Sequence, residues 1–312
     1  MKMLQKLNRL FLVLTMGTLM STTFTSCKDD DDAPATPQTI TDIVSTDANF
    51  TLLKQAVTKA GLGTALTGAN LTVFAPDNAA FAASGITSAT IDALSVAELT
   101  DILTYHVVAA RVSSSAVPAS DTVATLQGEN LYASKNANGV FVNGVKVKTA
   151  DVAASNGVIH VISSVLSAPT DNIAEVATAT PDLSLLLAAV VRANLAGAVS
   201  GAGKYTVFAP TNAAFVAAGF PNEAAINAAP VAAVEAIVKA HIIPTNVFAS
   251  DLIAGATANT LQTGVSLTIA TTPPSVKITG SANPASVINV GGGLYDIVTT
   301  NGVVHVIDRV LQ

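Results

Sequence analysis

The chain writes one decapeptide twice. Thr72-Val-Phe-Ala-Pro-Asp-Asn-Ala-Ala-Phe81 returns as Thr206-Val-Phe-Ala-Pro-Thr-Asn-Ala-Ala-Phe215, with nine of ten residues identical. A repeat at this spacing announces two domains built to one plan. The decapeptide also prescribes local structure. Leu71 to Ala75 is an apolar strand, and Pro76, with φ fixed and no amide proton, cannot continue a central ladder. Asp77, or Thr211 in the second copy, then stands where a side-chain oxygen caps a short helix carrying Phe81 or Phe215. Opposite the proline, that phenylalanine resembles half of a hydrophobic staple.

The flanking text keeps the same order in both copies. Asp47 is positioned to cap a helix whose Phe50, Leu53, Val57 and Ala60 share a face, and Gly61 stops it. Thr180, Pro181 and the stripe Leu183, Leu186, Val190 and Ala193 answer it in copy two. Ser95-Val-Ala-Glu98 reads as a capping box for a helix presenting Leu99, Ile102, Leu103 and His106; Pro230 opens its counterpart, with Val234, Ile237, Val238 and His241. The period then switches to two. Strands are expected at Val107–Val112, Thr122–Leu126, Leu131–Ser134, Val140–Val142 and Val145–Lys148, with Asn143-Gly144 a hairpin turn. Asn156-Gly-Val-Ile-His-Val-Ile162 and Asn301-Gly-Val-Val-His-Val-Ile307 close the copies as buried strands entered from an Asn-Gly turn. Helices early and strands late make each copy an α+β domain with a β-sandwich core.

Spacing locates the difference between the copies. The decapeptides lie 134 residues apart and the helix histidines 135, but the strand histidines 145. Ten extra residues therefore fall between Gln262 and Asn301, expected around Gly280 to Gly293. A loop lengthened in one copy is a place to look for specificity, which makes Asn283 and Tyr295 candidate contacts.

The amino terminus reads as an address. Lys2, Lys6 and Arg9 precede the apolar run Leu10–Met20, and a small, polar exit follows. That is a signal peptide over residues 1–26, with a run too short to span a bilayer. Cys27, the one cysteine, stands where a bacterial lipobox places the residue to be lipidated, although Phe24 departs from the usual leucine-like residue. Residues 27–38, with Asp29 to Asp32 and two prolines, form a solvated linker. Its acidic run resembles the surface-export signal of lipoproteins in Bacteroidota-type bacteria. Domains are expected at 39–168 and 169–312. The localisation implied is an outer-membrane lipoprotein, anchored in the membrane through lipid and exposed on the cell surface.

Composition narrows function. Half of the residues are hydrophobic and 12% are charged, as in a packed globular protein. The formal charge of −6 falls by three to −9 once the signal peptide is removed, which argues against a nucleic-acid partner. Tryptophan is absent, so aromatic platforms for sugars are thin. All four histidines belong to the repeated boxes, two per copy, on apolar faces where a neutral imidazole bonded to backbone is the ordinary outcome. No zinc spacing, nucleophile elbow or phosphate loop is present, so the chain reads as no enzyme, with no catalytic residue, metal or cofactor.

Three features taken together carry a family resemblance: the T-V-F-A-P-x-N-x-x-F box, the Tyr105-His106 pair at a helix end, and the N-G-V-x-H-V-I box. They resemble the first box, the Tyr-His motif and the second box of the fasciclin (FAS1) domain, in two tandem copies from about residue 39 to 312. The resemblance implies two FAS1-like domains, each a seven-stranded β-sandwich wedge with helices packed along one edge, in secreted or anchored adhesion proteins. In animal members the Tyr-His region is implicated in integrin binding. By position it would be Tyr105, His106, Val107 and Val108, with His241 in copy two. Ala240 replaces the tyrosine there, and Ser163 stands in copy one where copy two has Asp308. The function implied is a cell-surface adhesion or binding lipoprotein with an extracellular protein or matrix ligand. The alternative is a glycan-binding accessory lipoprotein using tyrosines such as Tyr132 or Tyr295.

Overall fold

The computed structural model describes residues 37–272, 275–280, 286–288 and 295–311. Copy one begins with helices α1 (Ile40–Thr46) and α2 (Thr51–Ala60), then strand β1 (Leu71–Pro76). Helices α3 (Asn78–Ala83), α4 (Ser88–Ala93) and α5 (Val96–Tyr105) follow, and then the strands β2 (Val107–Val108), β3 (Ser120–Ala124), β4 (Asn130–Asn136), β5 (Gly139–Val142), β6 (Val145–Ala154) and β7 (Gly157–Ile162). These form one seven-stranded sheet in the order β2-β1-β7-β6-β5-β4-β3.

The local devices fold as their chemistry dictates. Asp77 caps α3 by accepting from the Ala80 amide at 2.7 Å, and Ser95 and Glu98 complete a capping box on α5. Asn143 and Gly144 both take positive φ, 47° and 76°, as a two-residue hairpin requires. The centre of the sheet is the parallel pair β1 and β7, in register from Leu71 with Gly157 to Pro76 with Ile162. Pro76 thus occupies the last paired position of its strand. Alternation along β1 divides the interior in two. Val73 and Ala75 join the helix-side core with Leu53, Phe81, Leu99 and Ile159, while Phe74 joins Tyr105, Leu131, Val142 and Ile162 on the other face.

Copy two repeats the plan with α6 (Ile173–Ala179), α7 (Ser184–Arg192), α8 (Ala196–Ser200), β8 (Tyr205–Pro210), α9 (Asn212–Ala217), α10 (Glu223–Ala228), α11 (Val231–Ala240) and β9 (Ile242–Ile243). Its later strands are β10 (Thr257–Asn259), β11 (Ser266–Thr272), β12 (Ser275–Thr279), β13 (Ser286–Val287), β14 (Ile297–Thr299) and β15 (Gly302–Ile307). Among the described residues the sheet is divided into β10-β11-β12-β13 and β14-β15-β8-β9.

Register explains the division. Val142 pairs with Val145 in copy one, and Ile278 with Ser286 in copy two, so the offset between copies rises from 136 to 141 across that turn. Ile162 faces Val147, whereas Ile307 faces Ile288, and the offset reaches 145 by β15. The insertion is therefore in two pieces. The second falls where β6 already carries a bulge, between Val147 and Val152. What is one ten-residue strand in copy one becomes β13 and β14 in copy two. Asn283, one of the candidate specificity residues, lies outside the described residues.

Two expectations need correction. The strand read as Val107–Val112 stops at Val108. The buried Thr72 hydroxyl donates to the Ala110 carbonyl at 2.6 Å and accepts from the Val112 amide at 2.8 Å, replacing a ladder with a side-chain bridge. Thr206 does the same to Thr245 and Val247. Gly157, read as the second residue of a turn, is required instead by close approach of the backbone. A Cβ there would lie 2.1 Å from the Leu71 carbonyl oxygen, and at Gly302 it would lie 2.0 Å from that of Tyr205.

Candidate functional site

The residues of the repeated boxes spend their polar atoms internally. Asn78 accepts from the Leu52 amide and donates to the Ala48 carbonyl, clamping the decapeptide to the start of α2, and Asn212 binds Leu185 and Pro181 likewise. Asn156 accepts from the Ile40 amide and donates to the Leu66 and Gly68 carbonyls; Asn301 repeats this with Ile173, Val199 and Gly201.

The histidines are used in the same way. His106 Nδ1 lies 2.7 Å from the Ile102 carbonyl, and Nε2 accepts from the Leu166 amide at 2.9 Å. His241 joins Ile237 and Leu311 identically. Because Nε2 accepts, Nδ1 carries the single proton and the ring is neutral. Burial pushes both groups down to about 4. His160 and His305 use the other tautomer: Nδ1 accepts from Asp151 or Asp296, and Nε2 donates to Val112 or Val247. They stack on Phe74 and Phe208 with centroids 5.5 Å and 5.4 Å apart. With both nitrogens committed to backbone, none of the four rings presents a lone pair to a ligand.

Tyr105, His106, Val107, Val108 and His241, the residues named from the Tyr-His resemblance, are all buried. Tyr105 leads to the most unusual region of the molecule. Its hydroxyl donates to the Asn130 carbonyl at 3.1 Å and accepts from Asn143 Nδ2 at 2.8 Å, and burial pushes the phenol up to about 12. Asn143 in turn accepts from the Tyr132 amide at 2.8 Å. This network sets the Asn143-Gly144 turn, which presses against copy two. A Cβ on Gly144 would lie 2.8 Å from Asp296 Oδ2 and 3.1 Å from the Phe248 ring.

The junction between copies is built around that turn. Tyr132 from β4 packs on Phe248 with centroids 5.8 Å apart, and Val303 completes the buried cluster. Ser134 donates to Asp251 at 2.6 Å, and Asn136 donates to the Ser250 carbonyl at 2.8 Å. Beside it lies a cleft of about 380 Å³, lined by Asn143, Val145, the connector through Asp171, and Asp296 to Val298. Asp296 accepts from the Ala249 amide at 2.7 Å, yet burial pushes its carboxyl up to about 7, with Asp251 adding to the effect. Tyr132 and Tyr295, named as sugar contacts, have other surroundings: Tyr132 is buried in this junction and Tyr295 packs on the apolar cluster around Phe208. Neither copy taken alone marks the junction. Its signal is an aromatic present in one copy only, Phe248 against Ser113 and Tyr132 against Thr268.

The Fasciclin domain family model matches residues 48–169 and again 181–312. Pig transforming growth factor-beta-induced protein ig-h3 is 29% identical over 246 residues, 78% of this chain and 34% of that protein. Protein sll1483 of Synechocystis is 39% identical over 155 residues, 48% of this chain and 84% of its own length. Human periostin is 34% identical over 182 residues, 58% of this chain and 21% of periostin. The chain thus spans about a third of ig-h3 and a fifth of periostin. Among solved structures, a FAS1 domain pair from the insect cell adhesion molecule fasciclin I is similar over 84% of this chain and 96% of that one, at 19% identity and a TM-score of 0.42. With the family model matched twice in succession over most of its length, the chain belongs to the fasciclin family as a tandem pair of FAS1 domains.

Proposed function

We propose that this chain is a non-enzymatic binding and adhesion lipoprotein displayed on the outer surface of a Bacteroidota-type cell. A signal peptide of residues 1–26 delivers it, Cys27 is lipidated, and residues 27–38 hold domains 39–168 and 169–312 away from the membrane. The signal peptide, Cys27 and the linker up to residue 36 lie outside the described residues. Several acyl chains would hold the protein firmly, where a single chain is marginal.

One observation carries the reading. The motif residues that could do chemistry, His106, His160, His241 and His305, have both ring nitrogens bonded to backbone, and the box asparagines are spent in the same way. The repeated boxes therefore maintain the scaffold, and binding falls to surfaces where the copies differ. With Tyr105 and Ala240 both buried, that leaves the two-part insertion before Asn301, with the half-buried Tyr295 at its end. An extracellular protein or matrix ligand suits such a surface.

Protease shaving of intact cells, followed by an aggregation assay and a glycan array on the purified mature chain, tests this. Release of the domains by shaving and promotion of aggregation are expected. A protein protected in intact cells, or one that binds a single glycan class without affecting aggregation, would replace the adhesion reading with the periplasmic or glycan-binding one.

A further inference from the structure

The position occupied by Asp296 exists twice, in one backbone setting. Asp151 and Asp296 have φ of 60° and 50°, each donates its amide to the neighbouring histidine Nδ1, and each accepts from a backbone amide, Ser114 or Ala249. Asp151 is exposed, and Ser114 also gives it a hydroxyl hydrogen bond. Asp296 has alanine in place of that serine. The Gly144 turn of the other domain covers it, with its side chain 15% exposed.

We propose that the joint between the two domains is a proton-sensitive clasp: the Asn143-Gly144 turn stays docked on Asp296 while that carboxyl carries a proton, and docking weakens when the carboxyl ionises. Among the described residues, the groups facing Asp296 supply no counter-charge. From the turn before β10 comes Asp251, a second carboxylate. From β15 comes His305, which is 3.7 Å from Oδ1 but neutral, because its Nδ1 accepts the Asp296 amide. From domain one come uncharged Asn143 and Gly144, and the connector contributes Asp171 to the shared cleft. Among the described residues no lysine or arginine lines that cleft.

In the docked arrangement burial raises the Asp296 carboxyl to about 7, whereas the ordinary value is 3.8 and the uncovered Asp151 is held below it, first by the Ser114 hydroxyl. Docking therefore takes up a proton. It is strongest below about pH 4, weakens as pH rises toward about 7, and is flat beyond. Each pH unit inside that window changes the docking equilibrium by up to about tenfold.

The test uses the full chain with Cys27→Ser and spin labels on Ala89→Cys and Ala224→Cys, exposed equivalents in α4 and α10. Phe248→Ser, which copies Ser113, brings docking into measurable range. Between pH 5 and pH 8 the undocked-to-docked ratio should rise at least about tenfold, and adding Asp296→Asn should abolish that rise. Carboxyl carbon titration of the unlabelled full chain should place Asp296 at least about two pH units above Asp151. An unchanged distance distribution, a pH response that survives Asp296→Asn, or Asp296 titrating together with Asp151 would each overturn the clasp.

Discussion

Asp151 and Asp296 share a backbone and differ in what lies on top of them. Uncovered, Asp151 gathers two hydrogen bonds from Ser114 and is held below the ordinary carboxylate range. Covered by Gly144, Asp296 keeps one amide donor and is pushed up to about 7. The donor from the loop backbone is the same in both; loss of the Ser114 hydroxyl and burial beneath the neighbouring domain both push Asp296 upward. A repeat therefore conserves what a fold needs and changes chemistry by what it stacks on a conserved position.

Several substitutions would break or sharpen that comparison. The largest effect belongs to the shared part. His106→Ala strands the Leu166 amide and Ile102 carbonyl in the core and should cost about 3 to 5 kcal/mol, as should His241→Ala. Calorimetry checks this; unchanged melting temperatures would show that the rings are not structural. Next come the positions that differ. Phe248→Ala should cost about 3 kcal/mol in urea unfolding because Phe248 is buried at the junction, while Ser113→Ala should stay within about 0.5 kcal/mol. Equal effects would mean that the junction adds nothing beyond the isolated domains.

A pH profile separates the two titrations. His106, His241 and His305 are lowered by burial from 6.5 to about 4, so the unfolded chain takes their protons first. Their contribution is intact above about pH 6.5 and is lost progressively as pH falls to about 4. Asp296 works in the opposite sense over the same range, so Asp296→Asn should steepen the acid loss of the urea midpoint. A shallower profile would contradict the assignment. The smallest effect is at a cap: Ser95→Ala should cost about 1 kcal/mol by thermal melting, whereas its counterpart Pro230 makes no side-chain cap bond to lose. A loss near zero at Ser95 would mean that the capping box contributes little in this context.

Much of each domain was legible because its signals are local. The Asp77 cap, the Ser95 box, the Gly61 stop and the Asn143-Gly144 hairpin each sit within a few residues of what they organise. The core role of the histidines followed from their apolar neighbours. Other features depend on partners distant in sequence. Thr72 ends β2 by reaching Val112, 40 residues on, and Gly157 is glycine because of Leu71. The place and division of the insertion needed strand register. The junction was hidden most deeply, because Tyr132 and Phe248 look like ordinary interior aromatics until two domains are brought together.

The parallel pairing of β1 with β7, and of β8 with β15, also bears on how the protein would carry a load. Tension on the chain ends, once α1 and α2 have peeled away, enters at the Leu71 end of β1 and leaves at the Ile162 end of β7. The strands are then loaded in shear, and the six paired positions in each domain must rupture together instead of unzipping one at a time. Pulling single molecules from their termini should show two tall, similar force peaks, one for each domain.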